Sequence, residues 1–166
     1  MELMVSFKNN KYIVQDKSHQ RQIYTIKRKG FGVPRYVLMD ASNYQLYSFT
    51  QTTKETDRKH SFILSHNDVS IMHVACKSLF LDPTITVSGK DIHGVVIKYE
   101  IASKDHRNFD ILKEGVRIGG IKTNVTVSQE LQYDLEIEDK VFDDYVPLFA
   151  VAVDITFGEL NKEIRG

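Results

Sequence analysis

The chain has 166 residues and carries 22 lysines plus arginines against 22 aspartates plus glutamates. Its net field therefore gives no general attraction to nucleic acid or to an anionic membrane, and binding to either needs a local patch. The lone Cys76 excludes an intramolecular disulfide, and the start lacks a charged segment followed by an apolar one. Both features fit an intracellular, cytoplasmic protein, and the length predicts a single domain over residues 1–166 with a sizeable core. In that setting Asn124-Val125-Thr126 is a chance match to a glycosylation triplet.

In chain order, Leu3, Val5 and Phe7 alternate weakly and form a first strand, stopped by Asn9-Asn10. A pattern then recurs four times. Tyr12-Ile13-Val14 passes through Asp16-Lys17-Ser18-His19 to Ile23-Tyr24-Thr25-Ile26-Lys27, and Tyr36-Val37-Leu38 through Asp40-Ala41-Ser42-Asn43 to Leu46-Tyr47-Ser48-Phe49. Phe62-Ile63-Leu64 passes through Ser65-His66-Asn67-Asp68 to Ile71-Met72-His73-Val74, and Phe109-Asp110-Ile111-Leu112 through Lys113-Glu114-Gly115 to Val116-Arg117-Ile118. Each copy is an aromatic-led strand, a tight polar turn and a second alternating strand, which is a β-hairpin. Between them lie Ile85-Thr86-Val87, the run from Gly94 to Ile101, and Leu131 to Ile137. The last of these sends Leu131, Tyr133, Leu135 and Ile137 to one face, as in an antiparallel sheet with one wet side. The count is eleven or twelve strands.

The chain then changes character. From Tyr145 to Phe157 it carries one charge, Asp154, and no polar stripe. A helix apolar on every side has to be surrounded. Asp143 or Asp144 suits the N-cap, Pro147 fits the first turn, and Gly158 suits the position past the end, so a helix is expected over about 143–157. A membrane span needs about 20 apolar residues, more than this run offers. Size links helix and strands. A helix with side chains is about 10 Å across, and twelve strands tilted by about 40° close at a radius near 12 Å against about 8 Å for eight. Only the larger barrel holds a helix. The expectation is a mainly β fold, a closed antiparallel barrel of about twelve strands around a central hydrophobic C-terminal helix.

Tyr12-Ile13-Val14-Gln15-Asp16, the hairpin series, Gly94 before Tyr99-Glu100-Ile101, and Gln132-Tyr133-Asp134-Leu135-Glu136-Ile137 leading into Asp144-Tyr145-Val146 and the apolar run together resemble the LURF-one-related family. The resemblance covers nearly the whole chain and implies the tubby C-terminal-like fold, a twelve-stranded barrel threaded by a C-terminal helix. The family implies no established activity. Relatives of the fold include tubby proteins, which bind phosphoinositide headgroups through basic surface residues, and phospholipid scramblases. The cysteine-rich tract and longer terminal helix of scramblases are missing here, so lipid transport is not implied.

The densest basic cluster is Lys27-Arg28-Lys29, with Arg35 beyond the Gly30-Phe31-Gly32-Val33-Pro34 loop. Lysine and arginine at a loop pair with phosphate, arginine bidentately, and Phe31 is placed to dip into a lipid surface. The competing explanation is a set of solvated strand ends that keep edges soluble. A second basic group is Lys54, Arg58, Lys59 and His60. Six histidines are scattered without metal-ligand spacing, though His66 and His73 flank one hairpin. No nucleophile elbow or phosphate loop appears. Gly119-Gly120 is expected at a bulge or at a close wall-to-helix contact. Asp154, costly if buried alone, is expected at the barrel rim beside a basic side chain or backbone N–H groups, and Cys76 in the core. The reading is a non-enzymatic intracellular binding module without cofactor or metal. Its candidate partner is anionic phospholipid headgroups at a membrane surface, or an unidentified protein, with no nucleic acid. The alternative is a protein-interaction scaffold with no small ligand.

Overall fold

The computed structural model describes residues 1–54 and 56–163. Twelve strands follow one another: β1 (Glu2–Lys8), β2 (Lys11–Asp16), β3 (Arg21–Lys29), β4 (Arg35–Asp40), β5 (Gln45–Gln51), β6 (Ser61–His66), β7 (Val69–Ser78), β8 (Thr84–Lys90), β9 (Val96–Ser103), β10 (Asn108–Lys113), β11 (Val116–Val125) and β12 (Leu131–Ile137). Each pairs antiparallel with its neighbours in sequence, and β1 closes the ring on β12 through Leu3 opposite Leu135 and Val5 opposite Tyr133. Alternation sets the inner face: Leu3, Val5, Tyr12, Val14, Leu131, Tyr133 and Leu135 are buried, whereas outer neighbours such as Gln132 and Asp134 are half-exposed. Two-residue turns fix the register of several hairpins. Asn9-Asn10 (φ 53° and 62°), Asn67-Asp68 (50° and 65°) and Glu114-Gly115 (49° and 82°) hold both central residues left-handed, the turn whose twist matches paired strands.

A short 3-10 turn, Asp139–Val141, leads from β12 into the helix α1 (Pro147–Glu163). Val146, Leu148 to Val153 and Phe157 are 0–1% exposed, so the helix fills the barrel. Removing one large side chain here, as in Phe157→Ala, costs about 3–5 kcal/mol. The helix enters at the end of the barrel holding the β2–β3, β4–β5 and β8–β9 connections, here the entry end. There the Tyr145 hydroxyl lies 2.6 Å from that of Tyr99, and its ring meets Tyr47 edge-on. It finishes at the exit end, where Asn161 Nδ2 donates to the His106 carbonyl between β9 and β10 at 2.9 Å.

The helix bounds differ from those read in the sequence. The Asp143 carbonyl closes a turn with the Val146 N–H, and the Asp144 carboxylate accepts from the Tyr24 hydroxyl. Gly158 does not end the helix, which runs on to Glu163. A Cβ at Gly158 would lie 3.0 Å from Asp154 Oδ1 and 3.5 Å from Leu131, so the glycine makes room for the carboxylate four residues earlier. Gly119 and Gly120 do sit beside a bulge on β11, opposite Ile111 and Leu112. Their close approach is to neighbouring strands, the Glu136 carbonyl of β12 and the Phe109 carbonyl of β10, and not to the helix. Among the described residues no helix is long and apolar enough to cross a membrane.

Candidate anion-binding surface

Lysine and arginine gather where the first four strands reach the exit end. Lys8 and Lys11 flank the Asn9-Asn10 turn and lie directly opposite each other. Lys11 in turn lies opposite Lys27 of β3. Alternation with the buried Val5, Tyr12 and Ile26 sends all three lysines to the outer face, so they form one row across three strands. With strands about 4.8 Å apart, the row spans roughly 10 Å at its backbone. Two residues further along, Lys29 lies opposite Arg35 across the Gly30 to Pro34 loop. Arg28, opposite Tyr36, shares the other face of β3 with Tyr24 and Ile26 and is exposed at the rim.

Like charges placed directly across a sheet cost about 0.2–1 kcal/mol per pair, and here three such pairs adjoin. Among the described residues no carboxylate reaches ion-pair distance of Lys8, Lys11, Lys27 or Lys29. Arg35 reaches Asp68 only at 3.9 Å. Elsewhere on the wall Arg117 Nε meets Asp110 at 2.8 Å and Lys17 meets Asp134 at 3.3 Å, so what sets this region apart is that its lysines face one another across the strands. The sequence cluster Lys27, Arg28, Lys29 and Arg35 is thus brought together, with Arg28 on a different face. Lys8 and Lys11 belong with it and were missed. Their signal was present, since Lys-Asn-Asn-Lys is a two-residue hairpin that must set the lysines opposite each other.

Of the second basic group, Lys54, Arg58 and Lys59 are exposed in the β5–β6 connection and only His60 is withdrawn from the surface. His60 is buried with its Nδ1 3.0 Å from Thr53 Oγ1, and burial pushes its pKa down, so it is not a surface cation near neutral pH. Arg58 and His60 border an open groove of about 470 Å³ beside Leu79, Phe80 and Ile155. His66 packs its ring 5.3 Å from Tyr47. Among the described residues no group of three histidines, cysteines or acids is arranged to hold a metal.

Asp154 departs from expectation. Among the described residues it has no cation or backbone N–H partner at the rim. It lies half-buried in mid-helix and accepts from the Tyr12 hydroxyl at 2.6 Å and the Tyr133 hydroxyl at 2.5 Å. Burial first, and the carboxylate charge second, hold both phenols well above their ordinary pKa, so both remain donors. The result is a charge-assisted bond from the helix to β2 and to β12. Cys76 is a buried thiol, its pKa raised by that burial.

No curated protein matches the chain. Among solved structures it is similar to an X-ray structure of a protein from Arabidopsis thaliana, at 10% identity and a TM-score of 0.46, covering 96% of this chain and 90% of that one. The LURP-one-related family model matches residues 1–155, which hold all twelve strands and the first half of the helix. By that match the chain belongs to the LURP-one-related family.

Proposed function

We propose that the protein is a non-enzymatic binding module for anionic phospholipid headgroups, docking at a membrane surface through Lys8, Lys11, Lys27, Arg28, Lys29 and Arg35. The observation that carries this reading is the lysine row of β1, β2 and β3, repulsive within the fold and without a carboxylate partner among the described residues. A row that costs stability when empty gains when phosphates lie across it. Each such residue near an anionic leaflet contributes about 1 kcal/mol, so five or six give reversible attachment. The helix dipole does not account for the row, because its influence fades within the last turn and these lysines face outward from the wall. The packed interior supports binding over catalysis, since a reaction needs an open polar pocket with convergent titratable groups.

Co-sedimentation with vesicles of neutral phosphatidylcholine, alone or mixed with phosphatidylserine or a phosphoinositide, tests this at low salt, where surface charge acts most strongly. Binding to anionic vesicles alone, abolished by reversing Lys27, Arg28 and Lys29 to glutamate, is the expected result. Equal retention on neutral and anionic vesicles, or none on either, ends the lipid reading and leaves the protein-interaction scaffold. That scaffold reading draws on exposed Val95, Val96 and Val116 toward the entry end.

A further inference from the structure

Both ends of the barrel expose apolar side chains, and charge separates them. At the exit end Phe31 (106% exposed) and Val33 (58%) tip the β3–β4 loop, and Val127 (105%) tips the β11–β12 loop. Around the ring these loops flank the β1–β2 turn, so Phe31 and Val127 stand on either side of the lysine row. Leu81 (81%) tips another loop of the same end. The Phe31 loop is built to project. Gly30 (φ +93°) and Gly32 (φ +88°) bracket it in left-handed conformations that other residues adopt at a cost, and nothing lies within 4 Å of the space beside Gly32. At the entry end the exposed Tyr44 and Val69 sit next to Asp40 and Asp68 in their own turns, and Asp139, Asp143 and Asp144 gather where the helix enters. An anionic bilayer repels that end and attracts the other.

We propose that the exit end is a membrane-insertion face, in which Phe31, Val33 and Val127 enter the interfacial layer of an anionic bilayer while the lysine row lies against its phosphates. The barrel then stands on the membrane with its helix-entry end pointing away. This rests on the reading above and adds depth and orientation to it. Large apolar side chains beside cations are the pairing that peripheral membrane anchors use: the apolar groups gain burial and the cations hold them at the headgroups.

The chain contains no tryptophan, so one introduced residue reports alone. Four variants of the full chain, Phe31→Trp, Val127→Trp, Tyr44→Trp and Val69→Trp, are titrated with phosphatidylserine-containing vesicles, with brominated acyl chains as quenchers. Emission from Phe31→Trp and Val127→Trp shifts to the blue and is quenched, while Tyr44→Trp and Val69→Trp do not change. Phe31→Ser weakens vesicle binding about tenfold, the loss expected from one buried aromatic ring. Co-sedimentation without a shift at Phe31→Trp and Val127→Trp overturns insertion and leaves headgroup binding intact. A shift at Tyr44→Trp or Val69→Trp overturns the orientation. An equal shift on pure phosphatidylcholine removes the lysine row from the account, and no co-sedimentation at all overturns this proposal together with the reading beneath it.

Discussion

Two charged regions of this barrel follow opposite rules. Inside, Asp154, the single carboxylate of the apolar run from Tyr145 to Phe157, has a phenol on each side, from Tyr12 and Tyr133. Outside, Lys8, Lys11 and Lys27 face one another, and among the described residues no acid is in reach. A half-buried charge is costly when unpaired, because little water compensates it, and the fold supplies two donors. The outer wall tolerates repulsion of a few tenths of a kcal/mol per pair because solvent and salt screen it. Charge that serves the fold is partnered, whereas three lysines set directly across from one another serve no contact of the fold and suit a ligand outside the molecule.

The contrast breaks most visibly at Asp154. Asp154→Ala leaves two buried phenols without an acceptor and should lower stability by about 2–5 kcal/mol, measured by urea unfolding. A loss under 1 kcal/mol would mean that the tyrosines are satisfied by other groups and that the carboxylate is incidental. Tyr133→Phe removes one donor and should cost about 1–2 kcal/mol. The outer wall responds in the opposite direction. Lys11→Glu turns two repulsive pairs into attractive ones, so stability should rise by about 0.5–1 kcal/mol at low salt while binding to anionic vesicles drops. A variant that loses both stability and binding would show the row to be structural. The smallest effect concerns His60. Its folded pKa lies below the unfolded value near 6.5, so the unfolded chain binds the extra proton between the two. Stability should therefore be constant above about pH 7 and fall as the pH drops through the mid-sixes, and His60→Gln should flatten that fall in a pH series of unfolding midpoints.

Strand alternation and hairpin turns made the barrel legible, because a period of two with polar turns between has few other solutions. The enclosed helix was legible from its lack of a polar stripe, but its end was not. Gly158 looks like a stop, and only the Asp154 carboxylate above it explains a glycine there. The tyrosine partners of Asp154 come from strands 142 and 21 residues away in sequence, beyond any local pattern. Of the lysine row only Lys27 was read, from the density of Lys27-Arg28-Lys29. Lys8 and Lys11 needed the pairing of β1 with β2, which turns two separated lysines into neighbours. His60 misled because adjacency to Arg58 and Lys59 says nothing about which way a ring turns.

The order of elements along the chain has a consequence for synthesis. All twelve strands leave the ribosome before the helix does, and the apolar side of each has nothing to close on until Tyr145 to Phe157 emerge. The seam between β1 and β12 joins residues far apart in the sequence, such as Leu3 and Leu135. Until the helix is in place the strands keep an apolar side with nothing to cover it, and the closure of the ring is a long-range pairing of the kind that folds slowly and exposes a chain to aggregation.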